Sequence, residues 1–220
     1  MLRIGHRGAA GLAPENTLAS IEKAISLGLD LVEVDVQRTC DGHLVILHDE
    51  RVDRTTNGTG LVSTMPLLAL RELEAGAGQR IPTLGELLQT AHGRIGLILE
   101  LKVPGLAAQT HESVQRSAFT GPVIYASFIQ NELRSIREAD PQALTMALFS
   151  RWVKDPVAVA QNVRATHAGF CYRVVTKSVI ETCHQRGLVA FVYTVNKRQD
   201  IQKVKSLGAE GIISDFPDRL

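Results

Sequence analysis

Glu33 and Asp35 lie two residues apart in VEVDV, and Glu100 and Lys102 lie two apart in LILELK. Extended backbone turns successive side chains to opposite sides, so each charged pair shares a face. The other face belongs to Val32, Val34 and Val36 in one run and to Leu97, Leu99 and Leu101 in the other. Carboxylates crowded at one place repel unless a cation neutralises them. Hard divalent ions such as Ca2+ and Mg2+ prefer carboxylate oxygens, which makes Glu33, Asp35 and Glu100 the expected ligands of one such ion. Zinc fits less well, because no cysteine or histidine cluster has its usual spacing.

Two further strand-like runs, RIGH and LVILH, end in His6 and His48, and Arg7 and Gly8 follow the first. Three carboxylates with one divalent ion leave a formal charge of about −1, which Arg7 and Lys102 carry to about +1. Such a site favours an anion. A phosphodiester enters with one negative charge and gains a second in its pentavalent transition state, so cations arranged in advance stabilise the transition state more than the ground state. Two histidines on opposite sides can divide the proton transfers to and from the reacting oxygens. Against this stands a structural reading, in which each histidine is a satisfied strand residue and Glu33 with Lys102 is only a buried ion pair. Their joint occurrence at several strand ends favours the functional reading. The other histidines, His43, His92, His111, His167 and His184, read as surface or capping residues in turns or helices.

The elements that would position these groups are short. Nine strand-like runs, RIGH, LVEVD, LVILH, GLILEL, VIYAS, TMALF, AGFCY, VAFVYTV and GIISD, mostly alternate with amphipathic segments such as TLASIEKAISLG, TLGELLQTA, QNELRSIREAD, TKSVIETCHQRG and KRQDIQKVKSLG. Repeated strand-then-helix units imply a parallel sheet, and this many favour an α/β (β/α)8 TIM-type barrel with its site at the carboxyl ends of the strands. Nine runs are one too many for eight staves, so one lies outside the barrel or is no strand. The link VQRTCDGH is too short for a crossover helix and carries the Asp41-Gly42 turn signal. After the third run, residues of about 50–82 read as a small insertion of turn and short helix within one barrel domain spanning 1–220.

Composition sets the remaining bounds. The 220 residues suit one barrel, and 24 Lys and Arg against 23 Asp and Glu give no broad electrostatic footprint for nucleic acid or an acidic membrane. Cys40, Cys171 and Cys183 form no paired or metal-binding pattern and read as core or semi-buried thiols of a reducing compartment. No run is long and apolar enough for a signal peptide or a stable membrane insertion, so a cytoplasmic location is expected. The Asn57-Gly58-Thr59 triplet then reads as a turn rather than a glycosylation acceptor.

In order and spacing, HRG (6–8), PENT (14–17), ExD (33–35), HD (48–49) and ExK (100–102) resemble the pattern of glycerophosphodiester phosphodiesterases. IPTLGELL, YASF, VYTVN and GAEGIISDFPD are similar to later segments of that family, so the resemblance spans essentially the whole chain. It implies a metal-dependent barrel enzyme that hydrolyses small-molecule glycerophosphodiesters to sn-glycerol 3-phosphate and an alcohol. By motif matching, His6 and His48 take the acid and base roles in an order left open. Glu33, Asp35 and Glu100 bind Ca2+ or Mg2+, and Arg7 and Lys102 contact phosphate. Within PENT, Pro14 ends a loop, Asn16 caps the following helix, and Glu15 supports Arg7 or His6. Tyr193 stands where the family often has Trp, and its ring either packs against the glycerol or leaving group or serves as a core aromatic. The rival readings are a lysophospholipase D-type enzyme on a similar site and a non-catalytic glycerol-phosphate-binding barrel.

Overall fold

A computed structural model describes all 220 residues. All nine strand-like runs form strands: β1 (Leu2–Gly5), β2 (Leu31–Arg38), β3 (Leu44–Ile46), β4 (Gly96–Leu101), β5 (Val123–Ser127), β6 (Leu144–Phe149), β7 (His167–Cys171), β8 (Val189–Tyr193) and β9 (Gly211–Ser214). β1 pairs in parallel with both β2 and β9, which closes eight parallel strands into a barrel. The supernumerary run is LVILH. As β3 it pairs only with β2, and antiparallel, so the third run is not a stave.

The crossovers carry α1 (Leu18–Ser26), α3 (Leu84–Ala91), α4 (Ala107–Arg116), α5 (Gln130–Ala139), α6 (Pro156–Asn162), α7 (Lys177–Gln185) and α8 (Arg198–Leu207), while α2 (Leu67–Glu72) lies in the insertion. Seven connections between staves therefore bear helices, and a 3-10 turn at Pro217–Arg219 follows β9. Thr17 and Thr83 start α1 and α3 with reciprocal capping boxes to Ser20 and Glu86. Leu84, Leu87, Leu88 and Ala91 recur at helical spacing and pack with Val32, Val34, Leu97 and Leu99 on the outer face of the sheet.

Inside the barrel, Ile4, Leu31, Ile98, Ile124, Met146, Phe191 and Ile213 fill the lumen below the mouth. In β2 and β4 the inward positions change from apolar Leu31 and Ile98 to charged Glu33, Asp35 and Glu100 as the strands rise. The apolar plug thus forms a floor under the charged groups. His167 departs from the sequence expectation: it opens β7, is buried, and meets the Phe191 ring at 5.2 Å in an edge arrangement. Burial pushes its imidazole down to about 4, so it sits there neutral. Cys40 also departs, being exposed in the β2–β3 turn, whereas Cys171 is half-buried and Cys183 buried.

The hairpin explains the irregular start of the barrel. Asp35 pairs in register with Glu100, but β2 continues through Arg38, and Val36–Arg38 pair with the descending β3. The turn between them uses Gly42 at φ +86, a backbone state that suits glycine. Leu47 N–H then donates to the Asp35 carbonyl at 2.9 Å, returning the chain to the level of the carboxylates just before His48. Beyond it, Val52, Val62, Leu70, Ala75 and Ile81 form a separate small core against Val45 and Leu47. The segment after β3 is therefore anchored on the face of the hairpin opposite the one that Leu44 and Ile46 turn to the helices.

Phe191→Ala should lower unfolding free energy by about 3–5 kcal/mol through the cavity opened in the lumen floor. Leu68→Ala, at a side chain 75% exposed on α2, should change it by under about 0.5 kcal/mol. Urea denaturation measures both, and a Phe191→Ala loss below about 1 kcal/mol would contradict a packed lumen.

Candidate active site

At the end of β1 the chain makes two consecutive left-handed residues, Arg7 at φ +48 and Gly8 at φ +88. A Cβ on Gly8 would lie 2.1 Å from Ser20 Oγ, so only glycine allows α1 to pack this close. The turn aims Arg7 N–H at Glu33 Oε2 (2.9 Å) and Gly8 N–H at the Glu33 carbonyl (3.1 Å). The Arg7 guanidinium reaches Glu15 Oε1 at 2.8 Å and Asp35 Oδ2 at 3.5 Å. Glu15 thus supports Arg7, as PENT suggested. Asn16 does not cap α1, because Thr17 does; instead Asn16 is buried at φ +56, its amide donating to Asp35 Oδ2 (2.8 Å) and accepting from Asp35 N–H (3.3 Å).

The eight residues singled out in the sequence converge. His6, Arg7, Glu33, His48, Glu100, Lys102 and Tyr193 line one pocket of about 560 Å³ including its open mouth, and Asp35 lies buried beside them. One oxygen from each of Glu33, Asp35 and Glu100 lies within 4.8 Å of the others. Lys102 Nζ sits 2.7 Å from Glu100 Oε1 and 3.3 Å from Asp35 Oδ1, so the lysine pairs with these two acids rather than with Glu33. Opposite the charged wall, Ala126, Phe128, Met146, Leu148 and Ile213 make an apolar one. The Tyr193 ring belongs to that wall and meets Phe128 edge-on at 6.4 Å.

Both histidines are pinned through Nδ1 by a carboxylate. His6 Nδ1 lies 2.6 Å from Asp215 Oδ1, and His48 Nδ1 lies 2.5 Å from Asp49 Oδ1. Each contact places the Nδ1 proton toward its acid and leaves Nε2 for other partners, which for His6 include Glu33 Oε2 at 3.8 Å. Asn196 donates to Asp215 Oδ2 at 2.6 Å and accepts from the Asp215 N–H, fixing that acid. Asp49 is gripped instead by Arg54, through Nε to Oδ2 at 2.6 Å and Nη2 to Oδ1 at 3.1 Å.

Asn16, Arg54, Asn196 and Asp215 were not singled out as site residues. Asn16 and Asn196 were within reach as the amides of PENT and VYTVN, and Asp215 as the acid that follows GIIS, where a stave reaches the mouth. Arg54 carried no signal, since its reach back over the hairpin is a tertiary fact.

Electrostatics separates the two imidazoles. Burial pulls His6 down, but the hydrogen bond with Asp215 and the charge of Glu33 outweigh it and hold the ring above its ordinary value. Burial dominates at His48, which lies below that value. Among the acids, burial and then the charge of Asp35 push Glu33 up to about 8 and raise Glu100 as well. Glu33 Oε1 is buried without any hydrogen-bond donor. A crowded acid cluster with one bare oxygen lacks positive charge despite Lys102 and Arg7, and a divalent cation fits that deficit and that donor set.

The profile of the "Glycerophosphoryl diester phosphodiesterase family" matches residues 6–219. A glycerophosphodiester phosphodiesterase of Caldanaerobacter subterraneus subsp. tengcongensis is 34% identical over 232 residues, which cover 100% of this chain and 96% of that protein. The structure of an Oleispira antarctica phosphodiesterase in complex with the product sn-glycerol-3-phosphate superposes with a TM-score of 0.92 at 29% identity, covering 98% of this chain and 93% of that one. That of a glycerophosphodiester phosphodiesterase from Agrobacterium tumefaciens str. C58 gives 0.87 at 30% identity, covering 100% and 99%. A closed parallel barrel, an acid cluster, two carboxylate-anchored histidines and a full-length family match lead to one conclusion: this chain belongs to the glycerophosphoryl diester phosphodiesterase family, whose activity is phosphoric diester hydrolysis.

Proposed function

We propose that this protein hydrolyses glycerophosphodiesters to sn-glycerol 3-phosphate and an alcohol, using His6 and His48 as the proton-transfer pair and one Ca2+ or Mg2+ held by Glu33, Asp35 and Glu100. One observation carries the reading: two imidazoles with anchored Nδ1 atoms line the same pocket as the acid cluster and its two cations. The Oleispira enzyme, captured with sn-glycerol-3-phosphate, supports the same product here. The free cysteines and the balanced charge support a cytoplasmic setting, and no helix is long and apolar enough to cross a membrane.

His48 is the base. Its lowered pKa keeps it neutral near neutral pH, with the proton on Nδ1 facing Asp49 and the Nε2 lone pair free to take a proton from the attacking hydroxyl or water. His6 is the acid. Its raised pKa favours the protonated form relative to His48, and Nε2–H is then available to the departing oxygen while Asp215 holds Nδ1. Arg7 and Lys102, each already paired with an acid of the cluster, present their remaining N–H groups to the phosphoryl oxygens. When bound, a divalent ion supplies the positive charge that offsets charge growing on those oxygens. Ionised Glu33, Asp35 and Glu100 would hold it.

A second reading, hydrolysis of larger diesters such as lysophospholipids, is favoured by the apolar wall, which reaches solvent at Phe128, 43% exposed. A coupled assay for glycerol 3-phosphate, with glycerophosphocholine, glycerophosphoethanolamine and lysophosphatidylcholine as substrates and choline detection for the last, decides between them.

Three outcomes are expected. His48→Ala should reduce turnover by about 100-fold or more with the fold intact by circular dichroism; near-wild-type turnover would remove His48 from the mechanism.

Asp215→Asn removes the contact that raises His6, so the alkaline limb of the pH–kcat profile should move to lower pH, and an unmoved limb would detach His6 from the acid role.

For the ion, Glu33 must lose its proton to bind. A carboxyl whose folded pKa is raised stabilises the fold below its unfolded value, and that contribution fades as pH rises toward about 8. Added Ca2+ or Mg2+ should accordingly raise Tm more at pH 9 than at pH 6, and EDTA should abolish activity until the ion is restored. Full activity in excess EDTA with no retained metal would refute the role of the acids.

A further inference from the structure

Arg54 lies in the insertion, away from the pocket lining, yet four of its N–H···O contacts go to two acids that each hold a pocket residue. Nε and Nη2 donate to Asp49 at 2.6 and 3.1 Å, and Nη1 and Nη2 donate to the two Glu15 oxygens at 2.8 Å each. Asp49 Oδ1 also meets His48 Nδ1 at 2.5 Å, and Glu15 Oε1 also meets Arg7 Nη1 at 2.8 Å. The result is an unbroken chain of contacts, His48–Asp49–Arg54–Glu15–Arg7, in which charges alternate from Asp49 to Arg7.

We infer that Arg54 is a positioning residue that sets the orientation of both His48 and Arg7, through Asp49 and Glu15, and so makes the insertion part of the catalytic apparatus. The inference rests on the phosphodiesterase reading above. Its physical basis is the planar fork of the guanidinium, which engages two carboxylates along two edges at once, as an ammonium cannot. Without that cation Asp49 and Glu15 repel each other, and each is free to rotate away from the group it holds. His6 has no comparable device, since its acid is fixed by the neutral amide of Asn196.

The same contacts add little to global stability. The Arg54 side chain is 48% exposed, and ion pairs so close to water contribute weakly to folding. Positioning and stability can therefore be read separately. The insertion also holds an internal control: Arg51 pairs only with Asp53 and Thr59 and leads to no pocket residue.

The test compares wild type with Arg54→Gln, Arg51→Gln, Asp49→Asn and the Asp49→Asn/Arg54→Gln double variant, by steady-state hydrolysis of glycerophosphocholine and by thermal melting. Arg54→Gln should lower kcat by about 10-fold or more, as loss of an outer partner of a reacting group does. It should shift Tm by no more than about 4 °C. Arg51→Gln should match wild type. In the Asp49→Asn background, removing Arg54 should cost less in kcat than it does in wild type, because the His48 branch is already cut and only the Glu15–Arg7 branch remains. Arg54→Lys keeps the charge but not the fork and should recover only part of the loss; it also serves should the glutamine variant not fold. Wild-type kcat in Arg54→Gln or Arg54→Lys overturns the inference, as do costs that multiply in the double variant. Inactive wild-type enzyme with its divalent ion present would instead overturn the underlying function.

Discussion

Buried repulsion among Glu33, Asp35 and Glu100 is the constraint around which the rest is arranged. Three acids on two neighbouring staves bring oxygens within 4.8 Å of one another, in surroundings that take most of their hydration away. Lys102 and Arg7 meet part of that charge, Asn16 clamps Asp35 from both its N–H and its carboxylate, and Arg7 N–H meets Glu33. One Glu33 oxygen still has no donor. Such an arrangement has a high free energy by itself, and the divalent cation proposed above would lower it.

The fold serves this arrangement by geometry rather than by any one strong contact. Parallel staves put Asp35 level with Glu100 and Glu33 two residues lower on the same inward face, and an apolar plug fills the lumen beneath them. The hairpin is the departure from the regular barrel. By running β2 past the mouth and returning through β3, the chain delivers His48 from above, while β1 delivers His6 from its own stave. The two imidazoles then sit in unlike surroundings, and burial and carboxylate contact move their pKa values in opposite directions. The proposed acid and base roles rest on that difference, since environment can set two similar groups to different tasks.

Much of the site was legible in the sequence because it is written in period two: alternation in VEVDV and LILELK places Glu33, Asp35, Glu100 and Lys102 on inward faces without any tertiary knowledge. The barrel was legible for the same reason, and so was the presence of one strand too many. Which strand it was depended on pairing, and a three-residue β3 looks locally like any stave. Asn16 read as a cap because asparagine before a helix commonly is one; Thr17 displaced it, since its hydroxyl closes a reciprocal box with Ser20. His167 read as a surface residue because a lone histidine at a strand start carries no period. Arg54 lay beyond reach, since its partners Glu15 and Asp49 meet only after the hairpin folds back.

The acid cluster as the seat of a single ion is the claim on which the mechanism depends, and anomalous X-ray scattering from crystals grown with Mn2+ tests it directly. The account predicts one peak within about 2.0–2.6 Å of an oxygen from each of Glu33, Asp35 and Glu100. A peak bound elsewhere, or fully loaded crystals in which the Lys102 ammonium alone fills the space between these acids, would contradict it.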